Sequence, residues 1–109
     1  MLREIARTIE SVCRETDISF RYGGEEFVVL LRKTNEIGSR TIAERLRRSI
    51  SKLTIGHNGS SIRPTVSIGI STRTCGQKEH ISDLFDRADR ALYIAKQSGR
   101  NCVRDLAEA

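Results

Sequence analysis

Residues 21–27 read Arg-Tyr-Gly-Gly-Glu-Glu-Phe, and their types and order could handle a metal-bound phosphate. Two adjacent glycines between stretches of strand character, Ile18–Tyr22 and Phe27–Leu31, suit a two-residue hairpin turn with positive φ at both positions. With no side chains at its tip, such a turn lets a phosphate approach the backbone closely. Glu25 and Glu26, directly after it, could hold a divalent cation against that phosphate. The same residues suit an ordinary hairpin whose carboxylates face water equally well. Two further sets stand out. Lys96 and Arg100 flank the end of a helical pattern, where cations could contact phosphates or simply complement the helix dipole. Arg14-Glu15-Thr16-Asp17 pairs an arginine, whose planar guanidinium bonds purine edges and phosphates bidentately, with an aspartate three residues on. A bare Arg-x-x-Asp is also common as solvated surface. The chain holds no nucleophile–base triad, P-loop or zinc-type ligand set.

Composition narrows the class. At 109 residues the chain is at most one domain with a modest core. Hydrophobic residues at 38% and charged residues at 30% fit a soluble globular protein. No apolar run approaches the roughly 18 residues of a membrane span, and no secretory signal is visible. Cys13, Cys75 and Cys102 are odd in number and lack metal-type spacing, which reads as reduced cytosolic thiols. A net charge of +5 invites a nucleic-acid reading. However, the basic residues are dispersed and aromatics are only 5%, too few for a base-stacking platform. A polyphosphate ligand accounts for the excess equally well.

The elements that must position these groups follow from periodicity. Leu2, Ile5, Ala6, Ile9, Val12 and Cys13 fall at helical spacing, predicting a first helix. The hairpin follows, with Tyr22 expected to pack against that helix. Its second strand, Phe27–Leu31, is apolar on both faces and is expected in the sheet interior, covered on both sides. Ile42, Ala43, Leu46, Ile50 and Leu53 predict a second helix capped by Thr34 or Asn35. Asn58-Gly59 predicts a turn joining strands at Ile55–His57 and Ile62–Pro64. Val66, Ile68 and Ile70 alternate with small and polar residues as a strand with one buried face. Ile81, Leu84, Phe85, Ala88, Leu92 and Ala95 line a third helix that Gly99 should end, and Cys102–Arg104 suits a short edge strand. His57 and His80 read as surface residues. The whole is an α+β sandwich, with helices over a mostly antiparallel sheet.

Three segments in this order carry a resemblance: the heptad at 21–27, Thr65-Val66-Ser67-Ile68-Gly69-Ile70, and Ala88-Asp89-Arg90-Ala91-Leu92-Tyr93-Ile94-Ala95-Lys96-Gln97-Ser98-Gly99-Arg100-Asn101. Together they resemble the GGDEF family of diguanylate cyclases, in its Gly-Gly-Glu-Glu-Phe variant. The resemblance implies a nucleotide-cyclase-like fold and a cytoplasmic enzyme that condenses two GTP molecules into cyclic di-GMP. Each of two facing copies in a homodimer would hold one GTP with Mg2+ or Mn2+. It implies that Glu25 binds metal and helps deprotonate the attacking hydroxyl, that Glu26 supports the metal, and that Gly23 and Gly24 bring backbone to the phosphates. Phe27 would anchor the hairpin in the core, and Lys96 and Arg100 would contact nucleotide phosphates. Arg14 and Asp17 match the family's inhibitory site for cyclic di-GMP, completed by Arg45.

The resemblance also implies an absence. Family members begin with a strand and helix not found here, carrying a first metal-binding aspartate, a phosphate-contacting lysine and an Asn/Asp pair that reads guanine. The missing strand would lie between those matching Phe27–Leu31 and Val66–Ile70. Residues 1–109 thus correspond to the C-terminal two-thirds of such a domain, expected to be inactive alone. The competing expectation is a non-catalytic module that binds cyclic di-GMP or mediates dimerisation. A general nucleic-acid binder is the weakest reading.

Overall fold

A computed structural model describes residues 1–73, 76 and 78–108, without the side chains of residues 57 and 108. Cys75, read above as a reduced thiol, lies outside the described residues. The elements run α1 (Leu2–Val12), β1 (Ile18–Gly23), β2 (Glu26–Leu30), α2 (Glu36–Ser51), β3 (Ile55–His57), β4 (Ser60–Ile62), β5 (Ile68–Ile70), α3 (Ile81–Gln97) and β6 (Val103–Asp105), then a 3-10 turn at Leu106–Glu108.

The helices form where the apolar spacing places them. Asn35, not Thr34, caps α2: its side chain accepts the Gly38 N–H at 2.8 Å, satisfying a donor the helix leaves orphaned. Ser39, Ala43, Leu46 and Ile50 form the buried stripe of α2. Ile9, Leu46 and Ile50 make the centre of the core, against which Ile5, Phe27, Val29, Val66 and Ile68 pack. Phe27 thus anchors the hairpin as expected.

A second packing layer depends on small residues. Ala91 and Ala95 of α3 are fully buried, and β5 lies against this helix at backbone distance. A Cβ added to Gly69 would fall on the Ala88 carbonyl oxygen and the Leu92 backbone nitrogen, and 2.8 Å from the Leu92 Cα. Only glycine permits that approach.

Helices combine with antiparallel-rich strands, as expected of an α+β fold, but among the described residues the strands do not join into one sheet. The strands form three separate pairs, β1-β2, β3-β4 and β5-β6. The first two are antiparallel. The third is parallel, with Ile68 opposite Val103 and Ile70 opposite Asp105. The reason is connectivity: α3 carries the chain back along the strands, so β6 enters in the direction of β5. Strand pairing at β5 starts only at Ile68, so Val66 and Ser67 precede the paired strand.

Among the described residues strand β2 is not interior. Its residues Phe27–Leu30 are only half-buried, and it pairs with β1 alone. The Asn58-Gly59 turn forms as expected, with φ of +49° and +79°. However, β4 occupies Ser60–Ile62 instead of Ile62–Pro64, because His57 pairs directly with Ser60 across a two-residue turn. Among the described residues no helix is long and apolar enough to cross a membrane.

Candidate functional site

The β1-β2 hairpin places the two carboxylates. Its two turn residues are Gly24 and Glu25, one position later than Gly23-Gly24, because Gly23 still pairs with Glu26. Gly24 has φ +52°, whereas neither Gly23 nor Glu25 lies in the left-handed region. Positive φ is therefore needed at one central residue, not two. The Arg21 Nε donates to the Gly24 carbonyl at 2.8 Å and braces the turn.

Register jumps between Arg21–Phe27 and Gly23–Glu26, leaving Tyr22 as the extra residue of a bulge. The bulge redirects Tyr22 from the first helix, where it was expected, onto α3. Its ring lies 5.1 Å from that of Phe85, tilted by 42°.

Gly23 has no conformational reason to be glycine and no steric one. A Cβ there would meet nothing within 4 Å, and the same holds at Gly24. The backbone of the turn is open to an incoming group. Glu25 and Glu26 are both exposed beside it. Among the described residues no three or more metal-type ligands converge. Two carboxylates alone still fit Mg2+, which is commonly held by one or two carboxylates with substrate phosphates and water.

Lys96 and Arg100 occupy the other end of α3. The helix closes with Ser98 as its C-cap and Gly99 at φ +103°, as expected of Gly99. The Arg100 N–H then donates back to the Ala95 carbonyl at 3.0 Å, a Schellman closure. Arg100 and Asn101 continue in the left-handed region at φ +63° and +47°. Lys96 and Arg100 are exposed, and among the described residues neither is ion-paired with Glu25 or Glu26. Along α3, Lys96 is about 16 Å from Phe85, the residue touched by the hairpin.

The third set is closed on itself. The Asp17 carboxylate accepts Arg14 Nε at 3.0 Å and Nη2 at 2.8 Å, and also the Arg14 backbone N–H at 2.8 Å. Arg14 Nη2 further reaches the Arg32 carbonyl at 3.2 Å and the Thr34 hydroxyl at 2.7 Å, tying the end of α1 to the start of α2. The Arg14 hydrogen bond holds the Asp17 carboxyl below the usual range, against a smaller opposing effect of burial.

Arg45 is exposed on α2, in a shallow groove with Arg40, Glu44, Arg48 and Lys52. It lies about 15 Å along the helix from Asn35, and among the described residues no hydrogen bond joins it to Arg14 or Asp17. His80 is exposed at the N-cap of α3 and its side chain makes no capping bond there.

Two contacts escaped the sequence reading. Arg87 grips Glu79 bidentately, at 2.9 and 2.7 Å, and donates to the Thr72 carbonyl at 3.0 Å. Arg47 grips Glu44 at 3.1 and 3.0 Å and donates from Nη1 to the Asn101 Oδ1 at 3.0 Å. The three-residue Glu44–Arg47 spacing signals an intrahelical pair, but nothing in sequence announces a bond to a residue 54 positions away.

Residues 1–102 match the family model described as "Diguanylate cyclase, GGDEF domain". Diguanylate cyclase A of Treponema denticola is 42% identical over 103 residues, and diguanylate cyclase DgcM of Escherichia coli is 45% identical over 103 residues. Each alignment covers 94% of this chain but only 28% and 24% of those proteins, so the chain spans about a quarter of their length. Among solved structures, the GGDEF domain of DgcB from Caulobacter crescentus in complex with c-di-GMP superposes with a TM-score of 0.89 at 32% identity. That match covers 99% of this chain and 63% of the other. The diguanylate cyclase SiaD of Pseudomonas aeruginosa, solved with its activator SiaC, gives 0.86 at 39% identity, covering 94% and 38%.

Proposed function

The chain belongs to the diguanylate cyclase GGDEF-domain family, and on that premise we propose that it carries most of a site that condenses two GTP molecules into cyclic di-GMP. Gly23 is the observation that carries this reading. Neither its φ nor any neighbour within 4 Å requires glycine there, and the bare backbone beside Glu25 and Glu26 leaves room for a group from outside the chain. A triphosphate at the turn, beside two exposed carboxylates, is such a group.

In this reading Gly23 and Gly24 admit the phosphates, and Glu25 and Glu26 hold the divalent cation, with Glu25 also taking the proton from the attacking 3′-hydroxyl. Mg2+ or Mn2+ would supply charge neutralisation at the phosphates. Lys96 and Arg100 bind phosphate oxygens from the far end of α3. Two copies face each other, and each 3′-hydroxyl attacks the partner nucleotide's α-phosphate with release of pyrophosphate.

The chain covers 63% of the chain in the DgcB GGDEF-domain structure, and in this reading residues 1–109 are the C-terminal two-thirds of such a domain. The family's first metal aspartate and guanine-reading pair have no match in it, so the isolated chain should be inactive. Incubating it with GTP and magnesium and looking for cyclic di-GMP by mass spectrometry tests this. Product that disappears on Glu25→Ala would overturn the expected inactivity and support the hairpin's role.

The Arg14–Asp17 pair favours a second reading, a module that binds cyclic di-GMP with Arg14, Asp17 and Arg45. Arg14 is already oriented by Asp17, Arg32 and Thr34, which lowers the cost of ordering it for a guanine edge. The DgcB structure contains c-di-GMP. Calorimetric titration with cyclic di-GMP should show binding that Arg14→Ala abolishes. Binding indifferent to that substitution would refute the reading.

A further inference from the structure

The backbone that presents Arg100 is held in an uncommon form. Gly99, Arg100 and Asn101 are left-handed in succession, at φ +103°, +63° and +47°. Glycine adopts that region freely and asparagine tolerates it, but arginine does so only where its surroundings impose it. The Arg100 N–H bond to Ala95 fixes the first half of the turn. The second half is fixed from α2, where Arg47 Nη1 donates to the Asn101 side-chain oxygen at 3.0 Å.

Arg47 is itself immobilised. Glu44 takes its Nε and Nη2 at 3.1 and 3.0 Å, and the side chain is only 20% exposed. Bidentate capture by Glu44 points the remaining Nη1 edge at the turn. A planar fork can meet both partners at once, which a lysine ammonium on a mobile stem cannot do with the same geometry. An ordinary intrahelical ion pair on α2 would need only Glu44. The bond across to Asn101 contributes nothing to the helix and acts on the residue next to Arg100.

We infer that Arg47 is a positioning residue for nucleotide binding: clamped by Glu44, it grips Asn101 and so sets the direction in which Arg100 meets the phosphates of GTP. The inference rests on the proposed role of Arg100 and assigns that role a support on a different helix.

The test is a double-mutant cycle on the full chain, titrated with Mg-GTP by calorimetry, with thermal melts alongside. Arg47→Gln should weaken GTP binding roughly tenfold, the scale expected when a contact group loses its alignment. In an Arg100→Ala background the same substitution should change affinity less than about twofold, because a residue acting through Arg100 has nothing left to align. Arg47→Lys should not restore binding. Asn101→Gly keeps the left-handed backbone but removes the acceptor, and should reproduce the loss even if Arg47→Gln folds poorly. Wild-type affinity in Arg47→Gln, or an equal loss with and without Arg100, would overturn the inference and leave the phosphate role of Arg100 standing. No GTP binding by the unsubstituted chain, or no effect of Arg100→Ala, would instead overturn the parent reading and the inference with it.

Discussion

Replacing Gly69 with alanine tests whether the backbone contact between β5 and α3 holds the domain together. The added methyl would land on the Ala88 carbonyl oxygen and the Leu92 backbone, rigid helix atoms that no rotamer change can move aside. Overpacking of this kind costs about 1–3 kcal/mol, and the absence of any yielding neighbour places Gly69→Ala at the upper end. Gly69 lies outside the left-handed region, so alanine would gain roughly 0.4–1 kcal/mol from a less flexible unfolded chain. The net loss is about 2 kcal/mol. For a domain of this size each kcal/mol moves Tm by roughly 4–8 °C, so Tm should fall by roughly 8–16 °C. Thermal melts followed by far-UV circular dichroism measure this. Gly23→Ala is the control, because open space surrounds that position; its Tm should stay within the shift of about 0.5 kcal/mol typical of surface changes. A Gly69→Ala melt indistinguishable from that control would refute the close-packing argument.

Other expectations follow from the same geometry. Gly23→Ala should leave stability intact yet weaken binding of Mg-GTP, read by calorimetry; undiminished affinity would remove the case for phosphate approach at the turn. Ile50, 1% exposed at the core centre, should cost about 2–5 kcal/mol as Ile50→Ala, seen as a lower urea midpoint at unchanged slope. Asp17, Glu44 and Glu79 have their carboxyls held below the usual range chiefly by hydrogen bonds from Arg14, Arg47 and Arg87. Depressed folded values stabilise the fold above the unfolded carboxyl range, near pH 4, and that stabilisation is lost as pH falls through the folded values. Tm should therefore hold from pH 7 to about 5 and decline below 4, with a shallower decline in Arg14→Ala.

The three helices and the hairpin were legible because each rests on local periodicity or a short-range turn signal. Asn35, Gly99 and Asn58-Gly59 performed the capping and turning their types favour. Strand pairing was less legible. The alternation in Val66–Ile70 picks out Val66 and Ile68, which pack on the core while staying half-buried, but it carries no information on the neighbouring strand or its direction. For Tyr22, a one-residue bulge was enough to exchange one helix for another as its packing partner. The site followed the same division. The residue types of Glu25, Glu26, Lys96 and Arg100 were plain, while the Arg47–Asn101 bond needs folding to bring residues of α2 and the turn after α3 together. Gly69 falls within a strand motif, and only the path of α3 shows why a side chain is excluded there.

The β5–α3–β6 unit has a consequence for how the protein fluctuates. It is contiguous in sequence, its helix and parallel strand pair pack closely, and Ala91, Ala95 and Val103 are buried within it. The hairpin, by contrast, is joined to the core mainly through Phe27 and Val29, with Phe20 and Tyr22 exposed on its first strand. Amide hydrogens in α3 and β6 should thus exchange only through near-global opening, while those of β1 and β2 exchange through a cheaper local one. The carboxylates then ride on a part of the molecule that opens more readily than the unit from which the basic turn projects. A nucleotide spanning both would slow hairpin exchange more than helix exchange, and part of its binding energy would go into quieting that hairpin.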